Sequence, residues 1–401
     1  MKVLMFGWEF PPYTSGGLGT ACYALTKGLA RNGLDITFVV PYLPEDQKVE
    51  FVKLVGANTI ANITIIPVNS TLTQYSTFES YEERIAKLKS GLRDLYGHNL
   101  YIEVIRYSIA AAQLASQYDH DVIHCHDWMT YQAGMNAKEI SGKPLIIHIH
   151  NTVFDRSSLK PNEIEYQIER MGFENADKII AISNKIKNTL VSKYGIEPNK
   201  ISVVHWGIEE EDPDYHLEVK KPFNTKIVMF VGRVTLQKGP DYFVEAASQV
   251  LKYEPDTRFV VVGSGDMLPR IINRAIELGI IDRFNFTGWF SKRDVYKVFK
   301  LADVFVMPSV SEPFGLVALE ALKNNVPVII SKQSGVSEVL KHCLKVDFWD
   351  VNELSNKIVS VLKYKVLYQE LKNNGFNEVN KFNLDEPAKK VITVYNEARQ
   401  W

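Results

Sequence analysis

Ten residues, Ser311-Glu312-Pro313-Phe314-Gly315-Leu316-Val317-Ala318-Leu319-Glu320, set two carboxylates around a Phe-Gly-Leu turn. The turn leads into an apolar run with helical spacing, and the free N–H groups at such a helix start are a ready site for a diphosphate. Glu312 precedes the turn and can touch a group beyond the phosphates, whereas Glu320 lies about one and a half turns inside the helix. One glutamate could hold a sugar and the other a nucleoside ribose. Gly232-Arg233-Val234-Thr235-Leu236-Gln237-Lys238-Gly239 adds a guanidinium and an ammonium on one turn. Two cations there can neutralise a departing nucleoside diphosphate; taken alone they also read as solvated loop charges.

Two glycine loops could bring backbone amides close to an anion. Gly16-Gly17-Leu18-Gly19 lacks the full spacing of a dinucleotide fingerprint, and a tight strand-to-helix turn explains it as well. The same two readings stand for Gly263-Ser264-Gly265-Asp266. His124-Cys125-His126-Asp127-Trp128 and His148-Ile149-His150-Asn151 end apolar runs, and the two-residue period puts each pair of histidines on one face. Four histidines make a zinc site conceivable. No acidic or cysteine ligand completes a recognised spacing, so the inner histidine of each pair is read as packed and hydrogen-bonded and no metal is expected. Trp8, Tyr13, Trp128, Tyr131 and Phe154 fall near strand ends, where aromatic faces bind sugar rings or simply pack. Phe290 could lie against a base or in the core.

These residues need a frame that brings loops together, and the chain reads as alternating strands and helices. Strand character falls at residues 1–7, 35–41, 62–68, 121–126, 145–150, 178–183 and 201–206, with a helix over 101–118. The acidic stretch Glu209-Glu210-Glu211-Asp212-Pro213-Asp214 marks a boundary. The pattern then restarts with strands at 226–231, 258–262, 284–287, 304–307 and 326–330 and helices at 242–252, 268–278, 352–364 and 385–399. Such alternation predicts two α/β domains, each a doubly wound parallel sheet covered on both faces. Most of the candidate residues fall where these strands end, the ligand-binding edge of open α/β folds.

Composition sets bounds. At 401 residues the chain is long enough for two domains of roughly 100–200 residues. With 46 Lys+Arg against 47 Asp+Glu there is no long-range field to favour nucleic acid or a strongly anionic membrane. Cys22, Cys125 and Cys343 form no C-x-x-C and are read as reduced, packed thiols of a cytoplasmic protein. No run approaches the roughly 18 apolar residues of a membrane span, and Glu9, Pro11 and Pro12 interrupt the apolar start. A soluble protein without an integral span is expected.

Glu312 and Glu320, with seven residues between them and a Pro-Phe-Gly-Leu insert, resemble the signature of retaining glycosyltransferases of the GT-B fold, families 4 and 5. Members carry an arginine and a lysine at the spacing of Arg233 and Lys238, which turns the solvated-charge reading of that loop into a diphosphate site. The resemblance implies that amides at Gly17, Gly315 and Leu316 hold the diphosphate as well, with Gly16, Gly263, Gly265 and Phe314 on the donor side. It implies that Glu312 binds hexose hydroxyls, Glu320 binds the ribose and His150 stands beside the donor sugar. Asp127, with Glu9 and Tyr13, would belong to the acceptor side. Bacterial glycogen and starch synthases carry a lysine just before the first glycine loop, where this chain has Thr14-Ser15. That difference removes one phosphate-binding cation and turns the resemblance toward family 4 or an archaeal-type synthase.

The fold so implied is GT-B, two Rossmann-like domains about an interdomain cleft: residues 1–208 on the acceptor side, 209–378 on the nucleotide-sugar side, and 379–401 a terminal helix crossing back. The first expectation is transfer of glucose from ADP-glucose or UDP-glucose to an α-1,4-glucan with retention, in the manner of glycogen synthase and without a metal or other cofactor. The leaving phosphate would deprotonate the acceptor on the same face of the sugar. The alternative is a family 4 enzyme acting on a lipid, sugar-phosphate or surface-glycan acceptor. An isomerase of the UDP-sugar 2-epimerase kind, or a silent glycan-binding subunit, stands further off.

Overall fold

The computed structural model describes residues 1–8, 10, 17–40, 63–67, 99–157, 161–209, 219, 221 and 225–400, with the backbone alone given for Gly17 and 63–67. The chain divides into two compact units, Met1–Gly207 with Leu384–Trp401, and Ile208–Asn383. The acidic stretch beyond Glu209 lies outside the described residues.

In the first unit, the elements run β1 (Lys2–Phe6), α1 (Gly17–Arg31), β2 (Asp35–Val40), β3 (Ile63–Pro67), α2 (Leu100–Gln113), β4 (Val122–His126), α3 (Trp128–Ser141), β5 (Leu145–Ile149), α4 (Val153–Arg156), α5 (Glu163–Asn175), β6 (Lys178–Ala181), α6 (Asn184–Tyr194) and β7 (Ile201–Val203). Among the described residues its strands form a parallel sheet of seven in the order β3-β2-β1-β4-β5-β6-β7. Every residue of β4 and β5 is buried, as a strand covered on both faces requires. Caps fix the helix starts locally: the Asn162 side chain accepts from Ile164 N and Glu165 N ahead of α5, and Ser183 accepts from Ile186 N ahead of α6.

In the second unit follow β8 (Ile227–Val231), α7 (Pro240–Val250), β9 (Arg258–Val262), α8 (Leu268–Glu277), β10 (Phe284–Gly288), α9 (Lys292–Phe299), β11 (Val304–Met307), α10 (Leu316–Lys323), β12 (Val328–Ser331), β13 (Leu344–Val346), α11 (Val351–Lys363) and α12 (Lys365–Val379). Its described strands form a parallel sheet of six, β10-β9-β8-β11-β12-β13. Both sheets are α/β and doubly wound, and both reverse their strand order beside their first strand, at β1/β4 and at β8/β11. Ligands of open α/β sheets bind at such switch points.

The last helix, α13 (Asp385–Ala398), belongs to the first unit and packs on α1. A Cβ on Gly28 would stand 2.5 Å from the Leu384 carbonyl oxygen and 3.1 Å from the Ala388 Cβ, so the glycine permits that close approach. Two strands are shorter than the sequence predicts, 201–206 reducing to Ile201–Val203 and 326–330 to Val328–Ser331, and the edge strand β13 has no counterpart in the predicted pattern.

Candidate functional site

Three loops converge at the β8/β11 switch point of the second unit. The loop after β8 receives the loop after β9: Val234 N donates to the Ser264 carbonyl (2.9 Å) and Met267 N to the Val234 carbonyl (3.0 Å). Gly263 and Gly265 make that contact possible, since a Cβ there would lie 1.9 Å from the Gly232 oxygen and 2.3 Å from the Val234 oxygen. Both glycines therefore have a packing role, whatever ligand passes beside them. The loop after β11 joins from the other side, with Val310 N and Ser311 N donating to the Gln237 carbonyl at 3.0 and 3.2 Å.

This lacing sets Lys238 against Glu312, which are 74 residues apart, with Nζ 2.6 Å from Oε2. Ser309 Oγ lies 3.5 Å from the same carboxylate oxygen, and Arg233 Nη2 donates to Gln237 Oε1 at 3.2 Å. Glu312 is held by its backbone as well: its carbonyl accepts from Gly335 N at 2.9 Å, and the Phe314 carbonyl accepts from Val336 N at 2.7 Å. Phe314 and Leu316 are buried, and Glu320 is half-buried on α10. Gly315 takes φ +112°, and a Cβ there would come within 2.9 Å of Met307 Cε and 3.2 Å of Glu312 Cγ. No side-chain hydrogen bond caps α10 at Gly315. The result is an ammonium, a carboxylate and an uncapped helix start on neighbouring backbone segments, a set that can receive an anion beside a hydroxyl-bearing group.

In the first unit, the corresponding residues are buried. Asp127 follows β4 at φ +61°, a strained conformation for a residue with a side chain. It is held there on both sides, its N–H donating to the His148 carbonyl (3.1 Å) and its Oδ1 accepting from His150 N (2.8 Å). Burial pushes its carboxyl up to about 7, partly countered by that His150 N–H and by nearby Arg156. The His150 ring turns inward, its Nε2 sharing a hydrogen bond with His126 Nδ1 at 2.8 Å. Burial also drives the ring pKa values of His124, His148 and His150 well down, and that of His126 down to about 3, so the rings are neutral.

A second buried network supports Asn151, and no short motif announces it. Arg156 donates to the Asn151 carbonyl (2.7 Å), to Glu165 (2.8 Å) and to Glu169 (2.7 Å). Glu169 also accepts from Val153 N and from the Tyr194 hydroxyl. Burial raises the Glu169 carboxyl while Arg156 opposes it. Glu165 and Glu169 are one turn apart on α5, but only the fold brings them to Asn151, Arg156 and Tyr194.

Of the expected aromatic row, Trp128 and Tyr131 are buried; Tyr131 lies 5.6 Å from the Phe173 ring, and a Cβ on Gly172 would stand 2.5 Å from it. These two are core residues, so of the two readings packing is the one that holds for them. Glu9, Tyr13 and Gly16 lie outside the described residues, and Gly17 begins α1. The structure thus brings Arg233, Lys238, Glu312, Phe314, Gly315 and Leu316 onto adjoining segments in one unit, and Asp127 and His150 together in the other.

Comparison with known proteins agrees with this architecture. Residues 15–212 match the family model "Glycosyltransferase Family 4", and residues 212–378 match "Glycosyl transferases group 1". An uncharacterised glycosyltransferase of Methanocaldococcus jannaschii is 29% identical over 100% of this chain and 99% of its own length. The Escherichia coli UDP-Gal:alpha-D-GlcNAc-diphosphoundecaprenol alpha-1,3-galactosyltransferase is 27% identical over 73% of this chain and 80% of its own. Among solved structures, sucrose-phosphate synthase from Thermosynechococcus elongatus superposes with a TM-score of 0.78 at 21% identity, covering 99% of this chain and 98% of that one.

Proposed function

Because the chain belongs to glycosyltransferase family 4 and has the GT-B fold, we propose that it moves a hexosyl group, with retention at the anomeric carbon, from a UDP-sugar to a lipid-linked or phosphorylated sugar acceptor. The observation that carries the donor side is the Lys238–Glu312 pair beside the uncapped start of α10. Without a donor, the lysine and the glutamate neutralise each other. When a diphosphate arrives, Lys238 turns to the phosphate oxygens, joined by Arg233 and the first amides of α10, and Glu312 is released to accept hydrogen bonds from hexose hydroxyls. Glu320 takes the ribose. The cations and amides stabilise the charge that grows on the leaving diphosphate. The bond from the anomeric carbon to that diphosphate breaks, the new bond to the acceptor oxygen forms on the same face, and the acceptor proton passes to a leaving phosphate oxygen. No carboxylate nucleophile is required, unlike in retaining hydrolases.

Asp127 serves the acceptor half, and His150 stands beside the donor sugar. The Asp127–His150 backbone bond fixes the turn after β5, and the buried Arg156–Glu169 network stiffens the next residues.

The acceptor class rests on the Escherichia coli relative, whose name specifies UDP-galactose and a diphosphoundecaprenol-linked sugar. The α-glucan expected from the sequence has no support among the relatives named above, and Thr14-Ser15 stand where the bacterial synthases carry their lysine. The test is nucleoside diphosphate release from UDP-glucose, UDP-galactose and ADP-glucose, each offered with a polyprenyl-diphosphate sugar, a sugar phosphate or maltooligosaccharides. Release from a UDP-sugar that depends on one of the first two acceptors is expected. Elongation of maltooligosaccharides, or activity with ADP-glucose alone, would overturn the acceptor reading.

A further inference from the structure

We propose that the first unit binds one zinc-class divalent metal ion at His124, His126 and His148, buried beneath the β4/β5 end of its sheet. The sequence offers these histidines as an incomplete set; the fold completes it. One ligand atom from each lies within 4.8 Å of the other two, and all three side chains are fully or almost fully buried. Ring centroids are 4.4 Å apart for His124 and His126, and 5.3 Å for each of these with His148. Two nitrogens on one tetrahedral zinc stand roughly 3.4 Å apart, given bonds of about 2.0–2.1 Å, so the rings, now 15–32° from parallel, must turn to aim their in-plane lone pairs at one ion.

The hydrogen bonds point the same way. His124 Nε2, His126 Nε2 and both ring nitrogens of His148 are buried without a partner. Buried polar atoms left this way in a folded protein call for an explanation, and a metal ion is one. The other nitrogens of the first two rings are held: His124 Nδ1 by the Tyr395 hydroxyl at 2.5 Å, and His126 Nδ1 by His150 Nε2 at 2.8 Å. This is the arrangement of a metal-binding histidine, one nitrogen turned to the ion and the other oriented by an outer partner. The rings are neutral, the form a metal requires. The sulfur of Cys22 on α1 lies within 4.8 Å of ligand atoms of His126 and His150, beside this set and not part of it. Three imidazoles suit zinc and its neighbours over magnesium or calcium. The ion would tie β4 to β5 and, through Tyr395, to α13, giving it a structural role apart from the donor site.

The full-length chain is stripped with a chelator, titrated with cobalt(II) while the visible absorption of tetrahedral cobalt is followed, and then competed with zinc. One metal per chain is expected, along with a lower Tm after stripping. His148→Asn should lose at least 100-fold in affinity. Tyr395→Phe removes only the outer partner and should lose about 10–100-fold. Arg233→Ala, in the other unit, should bind normally. Failure of the unaltered protein to hold one equivalent overturns the proposal. So does full affinity in both His148→Asn and Tyr395→Phe. If His148→Asn does not fold, the unaltered chain and Tyr395→Phe decide.

Discussion

The two units share a topology but place their polar groups in opposite ways. At the β8/β11 switch point, Glu312 is as buried as Asp127, each 7% exposed, but its partner Lys238 is half-buried, so the ion pair still meets solvent. At the β1/β4 switch point, Asp127 and four histidines lie inside the protein, 0–7% exposed. A half-open ion pair can exchange partners when a charged ligand arrives, because water shares the cost of separating the charges. A buried, hydrogen-bonded set cannot; it holds its geometry and registers change as altered pKa or stability. Under the proposed function, the second unit is the half that grips and releases a charged donor, and the first is a stiff platform.

The sharpest way to break this contrast is to remove the exchangeable pair. Glu312→Ala is expected to lower kcat about 10³-fold, on the order of 4 kcal/mol of barrier, with circular dichroism unchanged; turnover within about tenfold of the unaltered protein would contradict it. Acid should then separate the units. In chelator-treated protein the histidines carry folded pKa values below their unfolded value near 6.5, so their contribution is present above pH 6.5 and is lost as pH falls toward the folded values. Each costs up to about 1.4 kcal/mol per pH unit. Asp127 runs the other way, its raised pKa adding stability at low pH that is lost as pH rises through about 7; one carboxyl offsets one histidine only. Hydrogen exchange between pH 7 and 5 should show β4 and β5 losing protection before β8 and β11, and the reverse order would sink the contrast.

A smaller effect tests the backbone of the donor half. Gly315→Ala forces a side chain into φ +112° against Met307 and Glu312, and should cost about 1–3 kcal/mol of stability while weakening donor binding. An unchanged melting curve would show that this turn adapts. Smallest is Glu320→Ala, expected to weaken nucleotide binding about tenfold, or 1.4 kcal/mol, with little change in turnover at saturating donor. Unaltered affinity would remove Glu320 from the ribose.

Legibility from sequence followed the same division. The residues of the proposed donor site sit in two contiguous stretches, 232–239 and 311–320, where residue type and spacing survive in one dimension. The first unit's buried polar clusters draw on β4, β5, α1, α5, α6 and α13; Tyr395 meets His124 across 271 residues, and no local pattern can announce that. Strands were legible because parallel strands are apolar on both faces. Helix α12 was not, since Asn373, Asn374 and Gly375 interrupt its pattern. The structure shows why the glycine is there: a Cβ on Gly375 would lie 2.5 Å from Leu322 Cδ2, so it lets α12 approach α10. The edge strand β13 is too short for a period to register.

The most direct test of the donor assignment is the affinity for UDP, measured by calorimetry, of the unaltered protein, Lys238→Ala and Asp127→Asn. Lys238→Ala should lose at least tenfold in Kd, while Asp127→Asn binds as the unaltered chain does. Equal affinity in all three, or a loss confined to Asp127→Asn, would contradict the placement of the diphosphate in the second unit.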